Sequence, residues 1–307
     1  MIEEKYKLSE SERLELDHGV GIKKKLTSKE VTVSVVKQVV LAIIALIWLI
    51  PIIWLVVTAF STNPGINIAH FFPNGYTLNN FITVLTKPDS VVQFKTWFLN
   101  TLVIAIFTCI ISTIFVLQVS YSFSFCRFRG RKQLMSFSMI LNMFPSVLSM
   151  IIIYFIMKQF GLTNSHIGMV IVYSAGSGLG YLVIKGFMDT ISMSVKEAAV
   201  IDGASELTIF TKIVVPLCKP IIVYQIISSF LMPWGDFVFA KLMLNSGIST
   251  DWTVAIGLYN MLEKSMINKY FAIFCAGGLL VSIPISVLFL IMQKYYVEGV
   301  TSGASKG

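Results

Sequence analysis

Long apolar runs separated by short polar stretches set the pattern of this chain, and their spacing is that of membrane-spanning helices. A span needs about 20 mostly apolar residues. Six segments qualify, at roughly 35–60, 97–124, 134–157, 167–188, 217–243 and 270–296. Between the fourth and fifth lies a polar island, Glu197-Ala198-Ala199-Val200-Ile201-Asp202-Gly203-Ala204. Ser194 and Glu197 have the Ser-x-x-Glu spacing of a capping box, which predicts a helix starting there. Gly203 ends it two turns later, because glycine takes the left-handed conformation at little cost. A second short helix carries Ile209, Phe210 and Ile213, until Pro216 and Pro220 mark the start of the next span. The predicted shape is helix, glycine turn, helix, offered to something outside the membrane.

Charge gives this pattern a direction. Eighteen Lys and Arg fall in the N-terminal segment, the 127–132 loop, the 185–219 loop and the C-terminal tail, and six on the opposite side. Positive residues accumulate in the cytoplasm, so both termini and the polar island are expected inside. The chain then divides into a cytoplasmic arm (1–34), a six-helix membrane domain (35–296) and a cytoplasmic tail (297–307). The arm mixes 7 acids with 8 bases through Lys37 and has apolar positions at Leu8, Leu14, Leu16, Val20 and Ile22, so a surface-lying amphipathic helix and a partly ordered tail both fit. No short apolar region with a small-residue cleavage site opens the chain, which predicts insertion by the first span itself.

Composition agrees. Charged residues are 13% of the chain and mean hydropathy is +0.78, whereas soluble domains average about 25% charged residues. The net charge of +8 is spread over separate loops with no aromatic-rich basic stripe, which argues against nucleic acid.

Catalytic chemistry is hard to find. No Gly-x-x-x-x-Gly-Lys-Ser/Thr loop occurs, and Arg129-Gly130-Arg131-Lys132 lacks the spacing to cradle phosphates. His18, His70 and His166 lie far apart, and Cys109, Cys126, Cys218 and Cys275 have no metal-ligand spacing and read as buried thiols. Gly176, Gly178 and Gly180 sit within an apolar span, where small residues serve close helix packing. Pro51, Pro145 and Pro284 should kink or loosen their spans. Asp236, beside Trp234, is the notable acid. A carboxylate at bilayer depth costs about 2.5–3.5 kcal/mol, so it should face water or protein. It reads either as a pathway or docking residue or as an interfacial one. If the chain drives transport, the energy is expected from another subunit.

The island, with Phe210, Ile213, Pro216 and Pro220 after it, resembles the EAA loop of permease subunits in binding-protein-dependent ABC importers. Asn142-Met-Phe-Pro-Ser-Val147, Ile184-Lys185-Gly186-Phe187 and the ending Val300-Thr-Ser-Gly-Ala-Ser-Lys-Gly307 resemble the MalG-type permeases of maltose and maltodextrin importers. The resemblance runs from about residue 97 to the C-terminus. It implies an all-α, polytopic type I importer permease in the bacterial cytoplasmic membrane. Its coupling loop, at about 190–220, would place Glu197, Ala198, Ala199, Asp202, Gly203 and Ala204 on an ATPase subunit. Ser302, Gly303 and Lys306 of the tail would form a second contact. The outer loop at about 244–268 would offer Trp252, Tyr259 and Asn260 to an extracytoplasmic sugar-binding protein.

The same resemblance implies the partners: a second, MalF-like permease and two copies of a cytoplasmic ATPase that holds ATP and Mg. The chain would itself be no enzyme and bind no cofactor. Galacto-oligosaccharide, raffinose-like sugars and cyclodextrin stand as alternative cargoes. An ion-driven secondary carrier is the alternative class, disfavoured by the lack of an intramembrane ion-binding cluster.

Overall fold

The computed structural model describes residues 28–66, 70–86, 92–176 and 180–304, with side chains over those between 31 and 293. Their regular elements are helices, with one isolated bridge, Ser61–Tyr76, and no strand among the described residues. Two units are distinguished, Met1–Trp54 and Leu55–Gly307. The charged arm 1–27 lies outside the described residues.

The first helix, α1 (Ser28–Ala59), carries exposed apolar side chains around its circumference from Val31 to Ile53. Its apolar stretch, Val31–Ala59, has a mean hydropathy of 3.1. At 1.5 Å per residue its 29 residues exceed a hydrocarbon core of about 30 Å. A helix apolar on every side suits lipid, where its backbone groups are satisfied internally. Pro51 lies inside it without ending it.

After α2 (Asn79–Thr86) comes α3 (Phe94–Phe125), the hub of the second unit. It packs against α6 (His166–Ala175), α7 (Gly180–Met188) and α10 (Lys219–Gly235). Thr101, Thr108, Ser112, Thr113 and Ser120 are buried along it. Their small side chains let neighbouring helices approach and bond across. Ser120 Oγ donates to the Tyr181 carbonyl at 3.0 Å, and Gln225 Nε2 donates to Ser112 Oγ at 3.0 Å.

One apolar core gathers near the C-terminal end of α3 around Val116, Leu117, Tyr121 and Phe125. A second gathers around Ile104, Met169, Tyr173 and Phe239. Ile104 and Val116 are separated by about 18 Å of helix rise.

Three of the expected spans are not continuous. The segment expected at 134–157 is α4 (Arg131–Asn142) and α5 (Ser146–Gln159), bent by 102°. Pro145 causes this by lacking an N–H and restricting Phe144. The segment at 167–188 is divided into α6 and α7. The segment at 217–243 is α10 and α11 (Val238–Met243), parted at Asp236. Helix α12 (Val254–Asn260) and the long α13 (Ile267–Ala304) complete the chain, and α13 passes through Pro284 uninterrupted. Among the described residues three helices are long and apolar enough to cross a membrane alone, and the number reaches six if α4 with α5, α6 with α7, and residues 206–217 with α10 each form one span.

The Gly-x-Gly-x-Gly run packs less tightly than expected. A Cβ at Gly176 would meet nothing within 4 Å, whereas one at Gly180 would press on Gln225 Oε1 at 2.9 Å. Gly178 lies outside the described residues. All four cysteines are free thiols, Cys218 and Cys275 buried and Cys109 and Cys126 half-buried.

Candidate functional site

The polar island folds as two short helices joined by a tight turn. The first, α8 (Met193–Ile201), is capped by Ser192, whose Oγ accepts the Ser194 N–H at 3.3 Å. The expected Ser194–Glu197 capping box is thus not formed. Ser192 is extended (φ −60°, ψ 135°) and stands just before the helix, so its oxygen reaches the free amides. Ser194 is already in the first turn, where its hydroxyl meets that of Ser192 at 2.7 Å.

The helix ends as the glycine predicts. Gly203 is left-handed, with φ +79°. Ala204 N–H donates to the Ala199 carbonyl at 2.9 Å and Gly203 N–H to the Val200 carbonyl at 3.0 Å. These paired bonds are the Schellman arrangement, which satisfies carbonyls left over at the helix end.

The second helix, α9 (Glu206–Leu217), is capped by Ser205, whose Oγ accepts the Thr208 N–H at 3.3 Å. It widens into a π-helix over Ile209–Val214. Pro216, in its last turn, has no N–H to return to Lys212. An 84° bend then leads into α10, with Pro220 in its first turn.

Side chains fix this pair to the body of the protein. Lys196 Nζ lies 2.7 Å from Glu206 Oε1 and donates to the Phe125 carbonyl at 3.1 Å. Tyr121 Oη donates to Glu206 Oε2 at 2.6 Å. The Lys196 ammonium also sits 5.7 Å from the Tyr121 ring centroid. These bonds hold the Glu206 carboxyl below its ordinary value, that from Lys196 foremost and that from Tyr121 next. Beneath them Ala199, Ile209, Val214 and Cys218 join the core that holds Tyr121, Phe125, Tyr181 and Ile184. Displacing the knob must therefore displace the ends of α3 and α7.

The outer face is different. Glu197, Ala198, Asp202 and Gly203 are exposed and Ala204 is half-buried. Ala199, expected at a partner surface, is buried at 7% exposure, so it supports the knob from within. Two apolar side chains that sequence reasoning did not single out dominate the tip. Ile201 is 86% exposed and Leu207 71% exposed, with Val200 beside them. Their signal was available: large aliphatic residues on either side of a charged glycine turn. Ser302 and Gly303 lie on the last turn of α13, and Lys306 lies outside the described residues.

The loop expected to meet a binding protein is folded back on α3. Trp97 Nε1 donates to the Ser249 carbonyl at 2.6 Å, and Asn100 Nδ2 donates to the carbonyls of Thr250 (2.7 Å) and Trp252 (3.1 Å). Val254 N–H donates to Thr101 Oγ1 at 2.8 Å. Gly257 lies under the Trp97 indole, where any Cβ would overlap the ring. Trp252 stacks on Trp97 with centroids 6.1 Å apart, and the Lys241 ammonium lies 4.8 Å from the Trp252 ring centroid. It serves as an anchor. Tyr259 is half-exposed and stacks on Phe237 at 3.9 Å, and Asn260 beside it is half-buried.

The comparisons with known proteins concern this same assembly of helices. A family model described as "Binding-protein-dependent transport system inner membrane component" matches residues 119–302. The galactooligosaccharides transport system permease protein GanQ of Bacillus subtilis is 33% identical over 268 residues, covering 87% of this chain and 93% of that protein. The maltodextrin transport system permease protein MdxG of the same organism is 31% identical over 268 residues, covering 87% and 94%. A crystal structure of a bacterial ABC transporter involved in the import of the acidic polysaccharide alginate includes a chain of the same fold. Its TM-score is 0.70 at 24% identity, covering 89% of this chain and all of that one.

Proposed function

The chain belongs to the binding-protein-dependent transport system inner membrane component family, as a multi-pass membrane permease, and from that premise we propose its place in a sugar importer. With a second permease it forms the alternating-access path of an ATP-driven oligosaccharide importer. Its six spans leave both termini and the α8–α9 knob in the cytoplasm, on the side where lysine and arginine accumulate. Two copies of a separate ATPase carry ATP and Mg, and one of them receives the knob. A sugar-binding protein approaches from the opposite face.

The knob is the observation that carries this reading. Its tip is apolar at Ile201 and Leu207, and its base is tied to α3 through Lys196 and Glu206. Such a part transmits force in both directions. ATP-driven closure of the ATPase pair moves the knob, the core beneath moves α3 and α7, and the spans exchange one packing for another. Liganded binding protein and ATP then bias the same two states, which is coupling in the thermodynamic sense.

The proposed cargo is a neutral oligosaccharide, read first as a maltodextrin. The likeness to GanQ supports a galacto-oligosaccharide as the second reading. Uptake of labelled maltotetraose and galactotetraose into vesicles carrying all the subunits tests both. Uptake that requires ATP and the binding protein, and resists a proton ionophore, is expected. Uptake abolished by the ionophore while ATP is buffered would replace the importer by an ion-driven carrier.

A further inference from the structure

Three discontinuities in the apolar helices converge on one cavity of about 380 Å³. Leu141, Asn142 and Ser146 line it from the α4–α5 break, Gly176 from the end of α6, and Asp236 from the α10–α11 junction. Irregular backbone at membrane depth is tolerated where it is buried in protein or lines a water-filled cavity. In transporters, interrupted helices that meet in this way commonly build the substrate site.

The chemistry inside is specific. Asp236 Oδ1 accepts the Phe239 N–H at 3.0 Å, and Oδ2 accepts the Tyr173 hydroxyl at 2.8 Å. Each oxygen keeps a further lone pair for an incoming donor. No ion pair to Asp236 is formed among the described residues. Asn142, Ser146 and Ser149 add neutral polar groups, and Phe144, Met232 and Phe239 add apolar surface. A few placed polar groups on a largely apolar wall, in about 300–1,000 Å³, is the usual composition of a small-molecule pocket.

We propose that this cavity is a subsite for a neutral sugar ring on the transport path. Asp236, held by Tyr173, accepts hydrogen bonds from its hydroxyls and repels sugars that carry carboxylates. The inference rests on the importer reading above and adds a cargo contact in this chain itself. An unpaired carboxylate suits a maltodextrin or galacto-oligosaccharide and opposes an acidic polysaccharide.

The test uses the complete importer in proteoliposomes, held with a non-hydrolysable ATP analogue, with Ser146→Cys as reporter and Ser149→Cys as a second. Maleimide labelling is read by mass spectrometry of the peptide bearing each position, which separates it from the native cysteines. Maltotetraose or galactotetraose at about ten times its Kd should slow labelling about tenfold, because the free-site fraction falls as 1/(1 + L/Kd) with sugar concentration L. Trigalacturonate should leave it unchanged, and Asp236→Asn should let trigalacturonate protect. Asparagine keeps an acceptor for the Phe239 N–H, so the junction is retained. Unchanged labelling with neutral sugar, while ATP-driven uptake persists, overturns the subsite. Equal protection by trigalacturonate with Asp236 intact overturns the charge selection. Absence of both protection and uptake overturns the importer reading along with it.

Discussion

Replacing Gly203 isolates the backbone as the element that shapes the docking knob. Its φ of +79° lies in the left-handed region, and both Schellman bonds depend on it. A Cβ there would meet no atom within 4 Å, so steric conflict adds nothing. The cost is conformational alone: about 1–2 kcal/mol for an ordinary L-residue, less for asparagine, and more for a β-branched one. One to two kcal/mol shifts a two-state population by about five- to thirtyfold. ATP-driven sugar uptake in proteoliposomes, at equal abundance of all subunits, should therefore rank Gly203 first, then Asn, Ala and Val. The Ala variant should lose about five- to thirtyfold in knob occupancy, while ATP hydrolysis becomes less dependent on binding protein and sugar. Wild-type uptake in Gly203→Val would refute the reasoning. Equal impairment by Asn and Val would also refute it, because the side chain and not the backbone would then decide.

Ile201→Ser and Leu207→Ser should each weaken ATPase binding to the permease pair about 10- to 100-fold, since burying one such side chain contributes about 1.5–3 kcal/mol. Titrating the ATPase onto nanodisc-embedded permease measures this, and unchanged affinity would remove these residues from the interface. Glu206 has a folded pKa below its ordinary value of 4.5, so its contribution is complete above pH 4.5 and is lost as pH falls through the folded value. Hydrogen exchange over residues 193–208 should accelerate only on that acidic side, and Glu206→Gln should remove the pH dependence. The effect is modest, because the Glu206 side chain is 61% exposed and screened by water. Gly257→Ala forces a methyl against Trp97 and should cost about 1–3 kcal/mol, lowering the Tm of the purified complex by about 2–10 °C. An unchanged Tm would show that α12 is not held against α3 as described.

By itself the sequence determined the class of fold, the three helices long and apolar enough to cross a bilayer alone, and the helix–turn–helix knob. Those rest on local physics. An apolar run about 20 residues long has one favourable solvent, and Gly203 can take a conformation closed to most other residues. Local rules reached their limit at Ser192: Ser194 alone has the Ser-x-x-Glu spacing, yet the path of the chain puts Ser192 at the cap. Nor do they report burial: Ala199 suits a partner surface by type yet its side chain lies in the core, and Trp252 is half-buried against Trp97. Tertiary structure alone decided what meets what. It set Lys196 against Glu206 and Tyr121, left Ile201 and Leu207 bare at the tip, and folded Gly257 beneath Trp97. It also gathered the breaks at Pro145, Gly176 and Asp236 around one cavity. Residues distant in sequence come together through helix packing, and neither hydropathy nor propensity carries that information.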